Sequence, residues 1–251
     1  MTSIQIGKWL WGTTLNVIMP PLCLSCGGQV AEARNLCGSC WSQLSFIEEP
    51  RCPLWGEPFA FDAGSGTLSG RALATPADWT SLTAAVNFND QAQRIVHALK
   101  YHDRLETATL MARLMFRALR AQLAGDPLLV PVPLHWLRLW RRRYNQAALL
   151  AQSLAMLGRA PYAAHVLVRH RRTPSQVGLD RQKRVTNLKG AFAVSQAARA
   201  QIAGRRILLV DDVLTTGATA AEASRCLLES GASAVDVVVF ALVLQPGQSH
   251  M

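Results

Sequence analysis

The chain has 251 residues, half of them hydrophobic, and carries a formal net charge of +10. That length and apolar content support one full-sized α/β domain with a smaller module, and they exclude wholesale disorder. No uninterrupted apolar run reaches the roughly twenty residues of a spanning helix, so a transmembrane segment is not expected.

The first apolar stretch, residues 4–19, is broken by Lys8, Gly12, Thr13, Thr14 and Asn16. It lacks the basic segment, apolar run and small-residue cleavage site of a secretory signal. A short amphipathic helix docked on the protein is the expectation, with a membrane-surface anchor as the alternative, and the expected compartment is cytoplasmic.

Four of the six cysteines follow, at Cys23, Cys26, Cys37 and Cys40. Two C-x-x-C turns can close a tetrahedral thiolate shell around Zn²⁺ with no open position, so the metal is read as structural. Gly27 and Gly28 allow the tight backbone of such a knuckle. Disulfides are the competing reading, disfavoured because nothing indicates export. Cys52 opens a further knuckle-like stretch, residues 52–58, in which Trp55 takes the place of the second thiolate. Cys52 is therefore read as structural or vestigial, and Cys226, inside a predicted helix, as a buried thiol.

Residues 59–78, rich in Gly, Ala, Ser and Thr, read as a linker or long loop. Apolar spacing over 90–123 predicts two helices around residues 100–104. The run 128–132 suits a buried strand, residues 134–145 a basic loop, and the following Ala/Leu-rich stretch a helix ending near Gly158. A short strand is expected at 166–168 and a mobile, arginine-rich span at 170–189. Between positions 131 and 206 stand fifteen Lys or Arg against one acid, Asp180, a net of +14. A field confined to one region concentrates polyanions, whether nucleic acid or a pyrophosphate-bearing metabolite.

The last quarter has the clearest pattern: an apolar strand at 207–210, a loop at 211–216, a helix at 217–230 stopped by Gly231, and a buried strand at 235–244. Such a unit is a right-handed βαβ whose ligands gather at the carboxyl ends of the strands. The loop and helix start comprise Asp211, Asp212, Val213, Leu214, Thr215, Thr216, Gly217, Ala218 and Thr219. Free N–H groups at a helix start suit a phosphate dianion, the threonine hydroxyls add donors, and Gly217 permits close approach. The paired carboxylates can accept hydrogen bonds from two vicinal hydroxyls. Phosphate at one end and diol at the other describe a ribose 5-phosphate. Helix capping by one aspartate is the plainer alternative, and it leaves the second aspartate and the threonine run unexplained.

Residues 207–220 resemble the phosphoribosyl pyrophosphate (PRPP) signature of type I phosphoribosyltransferases, and the layout resembles the ComF family, with GntX among its members. Alongside the cysteines, the resemblance is carried by Leu99, Lys100, Tyr101 and Arg104, by residues 131–135 and 143–146, by Gln176, Leu179, Arg184 and Asn187, and by residues 190–192. It implies an α/β fold, a type I phosphoribosyltransferase-like parallel sheet flanked by helices, plus a small N-terminal four-cysteine zinc-ribbon module. The expected division is 1–58 for the N-terminal segment and ribbon, 59–80 for the linker, and 81–251 for the phosphoribosyltransferase-like domain. Trp55, and the missing cysteine pair after it, depart from the family pattern, so one zinc site is carried over.

The resemblance further implies Mg²⁺-dependent transfer of a pentosyl group from PRPP, or binding of a related phosphoribosyl compound, with a role in DNA uptake, natural transformation or the use of imported DNA. The catalytic candidates are Asp211, Asp212 and Arg143. Candidates near the pyrophosphate or on closing loops are Pro133, Arg142, Arg143, Asn145, Gln146, Gln176, Arg184 and Lys100. A solvated basic face remains open for Arg141, Arg142 and Arg143, and helix capping for Lys100 and Tyr101. The span 170–189 is either a closing loop that excludes water or a nucleic-acid-binding strip. The rival function is a non-catalytic protein that holds single-stranded DNA or a DNA-processing partner. Trp136, Trp140 and Tyr144, interleaved with arginines, could stack bases, although core packing of the tryptophans is the favoured reading.

Overall fold

The computed structural model describes residues 20–62, 64, 66–101, 104–120, 122–170 and 190–244, without the side chains of Arg138 and Arg141. The stretch 4–19, Gln176, Arg184 and the expected closing loop lie outside the described residues. At the centre is a four-stranded parallel sheet in the order β1-β6-β5-β2, formed by β1 (Ser81–Asn87), β2 (Leu128–Pro131), β5 (Arg206–Leu214) and β6 (Ala234–Leu242). A two-stranded antiparallel pair, β3 (Leu167–Arg169) and β4 (Phe192–Val194), lies apart from it.

The sheet is buried on both faces, which is why its strands read as continuous apolar runs rather than alternating ones. Along β5, Leu208 and Val210 join one core with α3 (Asp90–Tyr101), α4 (Glu106–Leu119) and α6 (Gln146–Gly158). Ile207 and Leu209 face the other way, into a core with α7 (Gln196–Ile202), α8 (Ala218–Glu229), β3 and β4. Alternation of side chains across the strand produces the two layers.

The N-terminal module clasps the β1 edge. Phe46 bridges Val86 in antiparallel register, the Ile47 N–H donates to the Ala85 carbonyl, and the Leu82 N–H donates to that of Pro53. Edge groups that would otherwise be open are thus paired. Upstream of this segment a first knuckle adds Leu24 to the core on the α3–α4 face; downstream a second adds Cys52 and Trp55 to the opposite core.

The two knuckles share a backbone. In the first, the Cys23 N–H donates to the Gly28 carbonyl, the Gly27 N–H donates back to that of Cys23, and Leu22 bridges Gln29. In the second, Cys52 and Glu57, Gly56 and Cys52, and Arg51 and Pro58 repeat those pairings. Gly27 and Gly56 both sit at positive φ, 76° and 66°. The repeat continues: the Cys37 N–H donates to Cys23 Sγ at 3.3 Å and precedes α1 (Gly38–Ser42), while the Ser69 N–H donates to Cys52 Sγ at 3.4 Å and precedes α2 (Gly70–Ala74).

Several expectations change. Within the stretch read as a linker, α2 forms and Arg71, Ala72 and Trp79 are buried. The residues read as a basic loop contain α5 (Trp136–Arg142), capped by the His135 side chain. Trp136 and Trp140 are 64% and 84% exposed, so they are not core residues. Cys226 is half-buried against the α8 core rather than enclosed.

Candidate functional site

The phosphate-loop candidate occupies the carboxyl end of β5. The strand runs through the aspartates to Leu214, paired to β6 as far as Leu242, so the loop is shorter than the sequence pattern suggests: Thr215, Thr216 and Gly217. Gly217 is the N-cap of α8 at φ +84° and, having no side chain, leaves the helix start without a side-chain cap. Asp211, Val213, Leu214, Thr215, Thr216, Gly217, Ala218, Thr219, Ala220 and Val239 line a cavity of about 90 Å³. That is the share of roughly three waters in the liquid.

Because β5 continues through them, the aspartates alternate. Asp211 lines the cavity and accepts from the Asp212 N–H at 2.8 Å. Asp212 faces α3 instead, where its Oδ2 lies 2.6 Å from Lys100 Nζ. Burial, reinforced by the neighbouring Asp212 carboxylate, raises the Asp211 carboxyl to about 7. One carboxylate is therefore neutralised by a lysine at the end of α3, and the other holds its proton near neutrality.

The candidates from the β2 side form a separate group. Pro131 pairs with Val210, which puts Pro133 just beyond the strand end beside β5. Asn145 caps α6 by accepting from the Ala147 N–H at 3.1 Å and donates to the Val132 carbonyl at 3.0 Å. Gln146 is buried and accepts from Arg142 Nη1 at 3.2 Å. The Arg142 guanidinium lies 5.6 Å from the Tyr101 ring centroid, and the Tyr144 hydroxyl donates to the Leu99 carbonyl. Arg143 is exposed at φ +64° after α5. These contacts tie the α5–α6 turn to the end of α3, next to Lys100. None of this group lines the loop cavity.

The metal-centre candidate is compact. The thiol sulfurs of Cys23, Cys26, Cys37 and Cys40 all lie within 4.8 Å of one another, and those of Cys26 and Cys37 are 3.7 Å apart. Tetrahedral Zn–S bonds of about 2.3 Å set sulfurs about 3.8 Å apart, so the donors fit Zn²⁺ in number, type and spacing. The Ser39 hydroxyl lowers the Cys37 thiol to about 6, while burial raises Cys40 to about 12. At the second knuckle the corresponding positions are Cys52, Trp55, Ser69 and Ala72, a set that cannot ligate zinc. The Trp55 ring takes part in a packed cluster there: the Arg71 guanidinium sits 3.7 Å from its centroid, and Trp79 meets it edge-on at 4.8 Å. Sequence reasoning missed Arg71 and Glu57. The available signal was the repeated spacing of Cys23 to Gly27 in Cys52 to Gly56.

Among the described residues no helix is long and apolar enough to cross a membrane.

Comparison with known proteins agrees with this geometry. Residues 14–72 match the double zinc ribbon domain and residues 147–249 the phosphoribosyl transferase domain. The DNA utilization protein YhgH of Escherichia coli is 33% identical over 87% of this chain and 96% of its own length. Competence protein F of Haemophilus influenzae is 31% identical over 86% of this chain and 94% of its own. Competence protein ComFC of Bacillus subtilis is 26% identical over 88% and 94%. With a four-cysteine ribbon at one end, a phosphoribosyltransferase-like parallel sheet at the other and relatives matched along nearly their whole lengths, the chain belongs to the ComF family.

Proposed function

We propose that the cleft at the end of β5 binds the 5-phosphate and ribose of PRPP, or of a related phosphoribosyl compound, and that the protein is a cytoplasmic pentosyl transferase serving the use of imported DNA. The observation that carries this reading is the cavity itself. Its lining combines the free start of α8, three threonines and one inward carboxyl group. The helix-start N–H groups and the hydroxyls of Thr215, Thr216 and Thr219 hold the phosphate. Asp211 accepts from the ribose diol, while Asp212, on the opposite face of β5, holds Lys100 in an ion pair.

The polar side chains of the lining carry only oxygen donors, which fits Mg²⁺ carried in with the substrate. When bound, the ion neutralises part of the pyrophosphate charge. The chain's own contribution to bond cleavage at C1 is cationic: Arg142 and Arg143 stand on the turn beyond β2, with Lys100 beside them, where they can stabilise the departing pyrophosphate. Arg184 and Gln176 belong to the same proposal as ligand-contacting residues.

Calorimetry with PRPP and Mg²⁺ tests the reading. Wild type should bind, and Asp211→Ala/Asp212→Ala should lose about tenfold or more of the affinity, as expected for removing charge-assisted hydrogen bonds. Pyrophosphate release with a panel of bases, amines and nucleotides then reports transfer. Absence of PRPP binding by the wild type sinks the proposal.

One observation favours a second reading. The exposed rings of Trp136 and Trp140 stand four residues apart on α5, and Tyr101, under Arg142, is also exposed. Such a surface can stack unpaired bases. Binding of single-stranded DNA that falls steeply with salt and is lost in Trp136→Ala/Trp140→Ala, while ignoring the aspartate substitutions, would support it.

A further inference from the structure

The second, metal-free knuckle touches the loop directly. Arg71 Nη2 donates to the Thr215 carbonyl oxygen at 3.2 Å, across 144 residues of chain. The same guanidinium pairs with Glu57 at 3.4 Å, and both side chains are almost wholly buried, 2% and 3% exposed. It also stacks on Trp55, whose indole N–H is fixed on the Thr75 carbonyl at 3.0 Å. Trp79 is fixed in turn by donating to the Leu54 carbonyl at 2.6 Å. Both tryptophan rings press on Gly217: a methyl group there would come within 3.0 Å of each. None of Arg71, Trp55 and Trp79 lines the cavity.

A trans peptide points its C=O and its N–H in opposite directions. Anchoring the Thr215 carbonyl on the ribbon therefore turns the Thr216 N–H away from the ribbon, while the two rings fix the backbone of Gly217, where the helix start begins. Left to itself, a short strand-to-helix turn carrying a left-handed glycine has other conformations available to it. A guanidinium locked by a carboxylate and an indole is a rigid donor, better suited to this than a lysine.

We infer that the metal-free ribbon is the backing of the phosphate loop, with Arg71 as a positioning residue that presets the loop's amides for an anion. The inference rests on the loop being the ligand site proposed above. It assigns the second ribbon a role in binding rather than in metal storage, and the role passes through backbone rather than through contact with the ligand.

Arg71→Met alone would strand the Glu57 carboxylate in the core, so the test variant is Glu57→Gln/Arg71→Met, which removes both charges. Arg71→Lys is the conservative companion. Three quantities are measured on the full chain: zinc content, amide hydrogen exchange of the peptide spanning 213–220 in the free protein, and affinity for PRPP with Mg²⁺. The inference expects unchanged zinc content, faster exchange confined to 213–220 with β1 and β6 as protected as in wild type, and PRPP affinity lowered by about tenfold or more for one lost charged hydrogen bond. Arg71→Lys should restore part of both. Wild-type exchange at 213–220 in the double variant overturns the inference, whatever PRPP does. If wild type fails to bind PRPP, the proposed function falls and the exchange result alone decides the backing role. If the double variant does not fold, Arg71→Lys carries the test: wild-type exchange and affinity in that variant, which lacks the stacked fork, would equally overturn it.

Discussion

The two knuckles of the N-terminal module trace one backbone and are held by different chemistry. At the first, four thiolates converge on a space sized for Zn²⁺. At the second, an indole, a guanidinium and a carboxylate occupy the equivalent positions and their surroundings. A metal ion binds its ligands at fixed distances and tolerates exposure, and Cys26 is indeed exposed. A packed cluster needs burial, and Cys52 and Trp55 are 0% and 2% exposed. The second knuckle keeps the turn without a thiolate shell because it lies against the sheet and α8, where apolar contact is available. It also supplies something the thiolate shell lacks: a buried donor, Arg71, bound to the Thr215 carbonyl at the start of α8.

The largest effect expected from this contrast is at the first knuckle. Cys37→Ser should abolish zinc binding and cost about 5 kcal/mol or more, because structural zinc contributes folding free energy directly. Cys52→Ser should leave about one zinc per chain, the content of a single closed site. Metal analysis of the two purified variants, with thermal melts, separates them. Loss of zinc in Cys52→Ser would show that the second knuckle takes part in ligation, contrary to its geometry. The contrast can be sharpened from the other side: Trp55→Cys/Ser69→Cys/Ala72→Cys should raise the content to about two.

Next in size is Trp55→Ala. Removing a fully buried tryptophan leaves a cavity and costs about 3–5 kcal/mol. Here it also removes the ring beneath Arg71 and one of the two rings against Gly217. Urea unfolding should show this loss with zinc content unchanged. A cost below about 1 kcal/mol would mean that the second knuckle does not depend on its packed cluster.

How far the sequence could be read follows the same division between local pattern and tertiary environment. The β5–α8 segment was legible because an apolar strand, a hydroxyl-rich turn and a glycine at a helix start are all local signals. So was the four-cysteine shell, whose spacing carries its chemistry. β1 escaped notice because Ala84 and Ala85 at its centre are weak strand formers, made strand-like by pairing with β6 on one side and residues 45–53 on the other. The divergence of Asp211 and Asp212 was hidden for a related reason. Read as loop residues they could converge on one sugar; kept in β5 by pairing with β6, adjacent residues must face opposite layers. Trp136 and Trp140 were assigned to the core on residue type alone, and only the placement of α5 at the surface reverses that.

The smallest effect concerns the carboxylates and has the clearest sign. Glu57 is buried with a guanidinium against it, and Asp212 has Lys100, whereas Asp211 is raised to about 7 by burial and by the adjacent carboxylate. A carboxyl group raised from its ordinary value near 3.8 keeps in the folded state a proton that the unfolded chain releases. Stability therefore falls as pH rises from about 4 through about 7 and levels off above, where both states are ionised. Asp211→Asn removes that cost. The variant should be more stable than wild type at pH 8, with the difference shrinking toward pH 5, where the wild-type carboxyl is protonated. Its affinity for PRPP with Mg²⁺ should move the opposite way, since asparagine is a weaker acceptor for a ribose hydroxyl. Paired thermal melts at pH 5 and pH 8 read the first effect and calorimetry the second. A gain in stability without a loss in binding would detach Asp211 from the ligand, and equal stability at both pH values would show that its environment does not oppose the charged form.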